Sequence, residues 1–229
     1  MLGRVRAERP SLADLAYDAL TEAIFDRRIK PGARLRIDAL AAELQMSITP
    51  VREALARTAA VGLTRLDANR GYTVAPVLDT AQFHQLYAAR RAIESAAVRG
   101  TGQAPAAWVA DLDRTSIRPL RSLLSKMARV GHSASYSDYS YFSRLDHELH
   151  VRLIQFSGNP FLLTAFESLN FHLHMSRLYS GAGVADYDEA HAEHTAIIDA
   201  LDRCDGPTLR RSCEAHMLGA EARLVSLIG

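Results

Sequence analysis

Apolar side chains return every three or four positions near the start of the chain. Leu12, Leu15, Ala16, Ala19, Leu20, Ala23 and Ile24 form one stripe of an amphipathic helix, which Lys30-Pro31-Gly32 stops. The run "RIDALAAEL" predicts a second, shorter helix. "SITPVREALARTAAVGL" predicts a third, with Ser47 as a polar N-cap candidate, Pro50 in the first turn and Gly62 at the end. In "TRLDANRGYTV" the period changes, and two β-prone pieces flank the turn "DANRG", so a hairpin is expected. Pro76 then interrupts "VAPVLD", which divides the chain into segments 1–77 and 78–229. Downstream the pattern is helical, over 79–100, 105–131, 136–157, 160–180, 187–203 and 207–228, with Gly, Pro and Asn at the breaks. No alternating strand run intervenes, so this part reads as an all-α bundle.

Three helices followed by a hairpin is the order of a winged helix-turn-helix, in which the third helix enters the major groove of DNA. The expected fold is therefore mainly α, with a small β wing on the N-terminal segment. A chain of 229 residues, 48% apolar, buries a real core. The net charge of +1 excludes a grossly basic nucleic-acid tail, yet residues 1–78 carry 12 Lys/Arg against 9 Asp/Glu and the remainder 15 against 17. A mildly basic head on a mildly acidic body fits a DNA-contacting part joined to a part with another task. The first ten residues hold no apolar signal core and eighteen apolar residues never run together, so a cytoplasmic protein with no membrane partner is expected. Cys204 and Cys213 then read as thiols.

A helix entering a groove needs small polar or cationic side chains at its start and positive charge near phosphates. Ser47, Thr49 and Arg52 meet the first need. Arg34 and Arg36 before the second helix and Arg70 at the hairpin tip meet the second, with Gly71 allowing close backbone approach to the minor groove. For Ser47 and Thr49 the alternative is simple helix capping, and for Arg34 a solvated charge. The strings at Tyr17–Ile24, Ile29–Leu35, Leu40–Leu55 and Gly62–Val74, with "TPVREAL" the most specific, resemble the head of GntR-type bacterial transcription regulators. The resemblance implies operator binding through these positions. The family pattern "S-R-T-P-V-R" has arginine where this chain has Ile48, and isoleucine offers only apolar contact to a thymine methyl or turns toward the protein. An operator unlike the commonest one of the family is expected.

In the body, Asp146 and His150 are four apart and share a helix face with Phe142, Leu149 and Leu153. His194 shares a stripe with Ala190, Ile197 and Leu201, and His216 one with Leu209, Cys213, Ala220 and Leu227. A single core histidine is ordinarily just a satisfied polar residue. Three of them beside an aspartate are different, because one divalent cation satisfies all four groups. One oxygen and three nitrogens suit zinc first, and nickel, manganese or iron as well. The body also resembles the FCD effector domain of the FadR branch of GntR proteins: Arg90 with Glu94, Asp146 with His150, Gly158-Asn159, His194 with Ile197, and His216 with Met217. The resemblance implies a metal bound by Asp146, His150, His194 and His216, whose remaining positions take water or the carboxylate of a small organic acid. Arg90 is either a contact for that acid or the salt-bridge partner of Glu94. His172 and His174 are further candidates for the cavity wall.

The expected molecule is a homodimer on double-stranded operator DNA, its two-fold axis matching a palindrome. Two rivals stay open at this point. A metalloenzyme is suggested by His147-Glu148-Leu149-His150, although the second histidine comes one residue too early for a zincin and residue 151 is valine. The other is a DNA-binding dimer in which the His/Asp set is only a polar core.

Overall fold

The computed structural model describes residues 10–25, 28–100, 106–133, 136–169 and 186–228. Contacts divide the chain into two units, Met1–Val77 and Leu78–Gly229.

In the first unit, α1 (Leu12–Phe25) begins at a reciprocal cap: Ser11 N donates to Asp14 Oδ2 at 2.9 Å and Asp14 N donates to Ser11 Oγ at 3.1 Å. Its buried line is Ala13, Ala16, Leu20 and Ile24, narrower than the expected stripe. Leu12 and Leu15 are exposed by 56% and 42%. α1 packs against α3 (Ile48–Ala60), whose buried residues are Val51, Ala54, Leu55 and Thr58. Arg57 of α3 closes the pair, donating to Asp14 at 2.7 Å with its guanidinium 4.6 Å from the Tyr17 ring centre. Between them lies the short α2 (Ile37–Glu43).

The wing has three strands rather than the two expected. β1 (Arg34–Leu35) joins β2 (Thr64–Asp67) and β3 (Gly71–Val74) in the antiparallel order β1-β3-β2, with Arg34 opposite Thr73 and Asp67 opposite Gly71. A two-residue strand has no period of its own and is visible only through its partner. Asp67 Oδ1 accepts from Asn69 N and Arg70 N at 2.8 and 3.1 Å, and Gly71 follows with φ +72°, a left-handed conformation suited to glycine. The wing is tied to α3 by the buried hydroxyls of Thr58 and Thr64, 3.0 Å apart.

In the second unit, α4 (Thr80–Arg99) opens on a capping box between Asp79 and Gln82. The helix expected over 105–131 is not continuous. Two 3-10 turns, Ala107–Asp111 and Arg114–Ile117, precede α5 (Arg118–Val130), because Asp113 caps a new start at Thr115 N and Pro119 suits only a first turn. α6 (Tyr136–Gln155), α7 (described over 160–169), α8 (Tyr187–Asp202) and α9 (Gly206–Ile228) complete the bundle. The rest of the helix expected over 160–180, with His172 and His174, lies outside the described residues. α9 packs along both α4 and α8, and α6 against α4 and α5. Four helices therefore bring their inward faces to one place. Both cysteines are free thiols. Among the described residues, no helix is long and apolar enough to cross a membrane.

Candidate metal centre and nucleic-acid interface

Phe142, Leu149 and Leu153 of α6, Ala190, Ile197 and Leu201 of α8, and Leu209, Cys213 and Ala220 of α9 are all buried, so the apolar stripes face the core as expected. They carry their polar members inward too. Asp146 is 9% exposed, His150 1%, His194 0% and His216 2%. The three histidines offer ring nitrogens that all lie within 4.8 Å of one another. His216 Nε2 is 3.2 Å from His194 Nε2 and 3.3 Å from His150 Nε2. Asp146 Oδ1 stands 3.4 Å from His194 Nε2 and 3.9 Å from His150 Nε2.

Two carboxylates orient the rings of this cluster. His150 Nδ1 lies 2.8 Å from Glu94 Oε2, and His216 Nδ1 lies 2.8 Å from Glu193 Oε2. An ionised carboxylate only accepts, so in both rings Nδ1 carries a proton, and in a neutral ring that leaves Nε2 as an acceptor on the side of the cluster. Glu94 is ionised despite burial, which opposes charge, because the charges and hydrogen bonds of His150 and Arg90 outweigh it and hold its carboxyl below the usual range. At Glu193 burial is likewise outweighed, by the hydrogen bonds from His216 and Arg223. Where both rings are neutral, their Nε2 atoms, 3.3 Å apart, have no proton to share, and a cation between them satisfies both. The spacing fits one: tetrahedral donors about 2.0–2.1 Å from an ion stand roughly 3.3–3.4 Å apart. His194 differs, since its buried Nδ1 has no hydrogen-bond partner among the described residues.

Burial first, then neighbouring positive charge, lowers the His194 pKa well below 6.5, and burial, again the largest cause, lowers that of His216. Both rings stay unprotonated in the fold where the unfolded chain takes up protons. Stability of metal-free protein is therefore complete above about pH 6.5 and falls as pH drops below it, by about 1.4 kcal/mol per pH unit for each extra proton bound on unfolding. Urea titrations between about pH 5 and 7.5 measure this slope. A flat profile would contradict it.

Arg90 is 3% exposed, and its Nε donates to Glu94 Oε1 at 2.5 Å. The salt-bridge role weighed from the sequence is thus present, while the terminal nitrogens of the guanidinium lie beyond that Nε contact. The guanidinium carbon lies 5.8 Å from the Tyr87 ring centre and 5.6 Å from that of Phe166. His147 and Glu148 stand apart from the cluster. His147 stacks on Phe166, and Glu148 accepts from Arg152 at 2.7 Å. Glu193, Arg223 and Gly219 were missed from the sequence: Glu193 neighbours His194 but reaches across to α9. The available signal was the spacing of Gly219 and Arg223, three and seven residues after His216 on one helix.

In the head, Ser47, Ile48, Thr49 and Arg52 are all exposed at the start of α3. Ser47 occupies the N-cap position without a side-chain cap hydrogen bond, and Ile48, 49% exposed, does not turn into the protein. Arg34, Arg36, Arg70 and Gly71 are brought together, lining an open groove of about 310 Å³ with Leu66 and Tyr72. Arg36 is paired there with Asp38 at 2.6 Å. Leu66, 64% exposed on the wing, was not singled out from the sequence. Nothing fills the space at Gly71, so its backbone angle is what calls for glycine there.

Comparison with known proteins assigns both parts. Residues 85–219 match the FCD domain family, and residues 12–74 match the bacterial regulatory proteins of the gntR family. The chain belongs to the GntR-family regulators of the FCD type. The Nta operon transcriptional regulator of Aminobacter aminovorans is 30% identical over 74% of this chain and 75% of its own. The regulator McbR of Escherichia coli is 28% identical over 83% of this chain and 81% of its own. A solved structure of E. coli McbR/YncC has the same fold, with a TM-score of 0.74 at 24% identity over 96% of this chain and 99% of that one. Both families and these relatives are transcription regulators, which disposes of the metalloenzyme reading. This GntR-type chain is a DNA-binding transcription regulator.

Proposed function

We propose that this regulator senses a small organic acid through a divalent cation held by Asp146, His150, His194 and His216. The observation that carries the reading is the convergence of the buried Nε2 atoms of His150, His194 and His216 beside Asp146, with Nδ1 of His150 and of His216 held by Glu94 and Glu193. Zinc suits three imidazoles and one carboxylate best, with nickel, manganese and iron as alternatives decided by supply. The cation supplies a positive centre for an anionic ligand. Arg90 meets a carboxylate of that ligand with its terminal nitrogens while Nε stays on Glu94. Operator DNA is bound in the cytoplasm by a homodimer, through Ser47, Ile48, Thr49 and Arg52 at base edges and through Arg34, Arg36, Arg70 and Gly71 along the backbone and minor groove. This rests on their exposure and on the groove that gathers the latter four. Acid binding changes operator affinity by about 1–3 kcal/mol, a usual size for coupling between sites.

The test uses an operator selected from random duplexes and fluorescence anisotropy of metal-loaded protein with a panel of small organic acids, thermal shift identifying those that bind. An acid that raises the unfolding temperature shifts operator affinity 5- to 150-fold, on the order of the coupling above. If every stabilising acid leaves operator affinity unchanged, the sensing role fails. A second prediction concerns Ile48: Ile48→Arg moves base preference toward guanine at one position per half-site by about 1–3 kcal/mol. Selection with the variant measures it, and an unaltered preference counts against α3 entering the groove at this residue.

A further inference from the structure

Gly219 stands inside α9, where alanine suits a helix better. A Cβ at 219 would come within 2.6 Å of Glu193 Oε1 and 2.8 Å of Arg223 Nη1, so alanine there displaces the tips of both side chains. These atoms belong to a closed unit. Arg223 grips Glu193 with both prongs of its guanidinium, Nη1 to Oε1 and Nη2 to Oε2, each at 2.7 Å, and its Nε reaches Asp186 at 3.3 Å. The same Glu193 Oε2 accepts from His216 Nδ1 at 2.8 Å. A two-pronged arginine fixes the plane of a carboxylate, which in turn fixes the tautomer and tilt of the imidazole bonded to it. His150 leans likewise on Glu94, which Arg90 holds through Nε alone, but those two side chains are almost wholly buried, at 7% and 4% exposure. Glu193 and Arg223 are 23% and 21% exposed, so this unit tolerates substitution more readily.

The geometry points to Glu193 as a positioning residue for His216, with Arg223 clamping its carboxylate and Gly219 keeping the space in which the clamp closes. The unit holds His216 Nε2 toward His150 and His194, so it controls how tightly those nitrogens bind a cation. This inference rests on the metal reading above.

The test measures zinc affinity of the full chain by chelator competition, the absorption spectrum of the cobalt-loaded protein, and the unfolding midpoint of the metal-free protein, for wild type, Glu193→Gln, Arg223→Lys and Gly219→Ala. Loss of an outer partner of a ligating histidine weakens metal binding by about 10–100-fold. Glu193→Gln and Gly219→Ala are expected to show that loss and a shifted cobalt spectrum, while the metal-free midpoint changes little. Arg223→Lys, which retains the charge without the fork, falls between wild type and Glu193→Gln. If the variants keep wild-type affinity and spectrum, or lose only metal-free stability, the positioning role is overturned. If the wild type binds no zinc, the metal reading itself falls and takes this inference with it, an outcome that involves no variant.

Discussion

His194→Ala is expected to abolish stoichiometric metal binding and to remove the stabilisation that metal confers on the folded chain. His194 is fully buried, and its Nε2 lies 3.2 Å from His216 Nε2 and 3.4 Å from Asp146 Oδ1, so it touches two of the other three donors. A ligand that binds only the folded state stabilises it by about 4 kcal/mol at a thousandfold excess over its Kd. For a chain of this size that is on the order of 10 °C in Tm. The wild type therefore loses about that much on chelation, whereas His194→Ala unfolds at the same temperature with and without chelator. Metal content of purified protein and paired melting curves check both statements. A wild type without stoichiometric metal, melting identically in chelator, would return the cluster to a polar core.

Glu94→Ala should be among the most destabilising single substitutions in the body. Glu94 accepts from Arg90 Nε at 2.5 Å and from His150 Nδ1 at 2.8 Å, and both partners are buried. Removing it leaves a guanidinium of 3% exposure without its counter-ion and an imidazole N–H without an acceptor. Breaking a buried pair in this way costs about 3–5 kcal/mol. Arg152→Ala, at the half-exposed pair with Glu148 of 2.7 Å, changes stability by less than about 1 kcal/mol. Urea titration of the metal-free variants compares the two. A double replacement of Arg90 and Glu94 by apolar residues of similar size recovers most of the loss, because the cost of Glu94→Ala lies mainly in the stranded charge. Equal effects at Glu94 and Arg152 would mean that the Arg90 pair is hydrated.

How far the sequence could be read depended on the range of the interaction. α4, α6, α8 and α9 were legible because a 3.6-residue period and Gly or Pro stops are local. The same reasoning ran two 3-10 turns and α5 together into one helix over 105–131, since apolar spacing continues through Asp113, where capping restarts the chain. α1 was legible as a helix but its buried face was not. Leu12 and Leu15 are the more apolar residues, yet Ala13 and Ala16 lie inside, because the rotation of α1 against α3 is set by tertiary packing and not by the period alone.

The site divides in the same way. By itself the sequence determined that a winged helix-turn-helix precedes a helical body, that α3 opens with Ser47, Ile48, Thr49 and Arg52, and that three helices each carry a histidine inward on an apolar stripe. Those features follow from spacing along single helices. Only the tertiary structure decided that His150, His194 and His216 meet at one point with Asp146 beside them, that Arg34, Arg36 and Arg70 line one groove, and that Glu94 and Glu193 orient two of the rings. Glu193 and His216 are 23 residues apart on different helices. Their contact depends on how α8 and α9 pack, and Gly219 counts only because that packing sets the Glu193 carboxylate and the Arg223 guanidinium beside it.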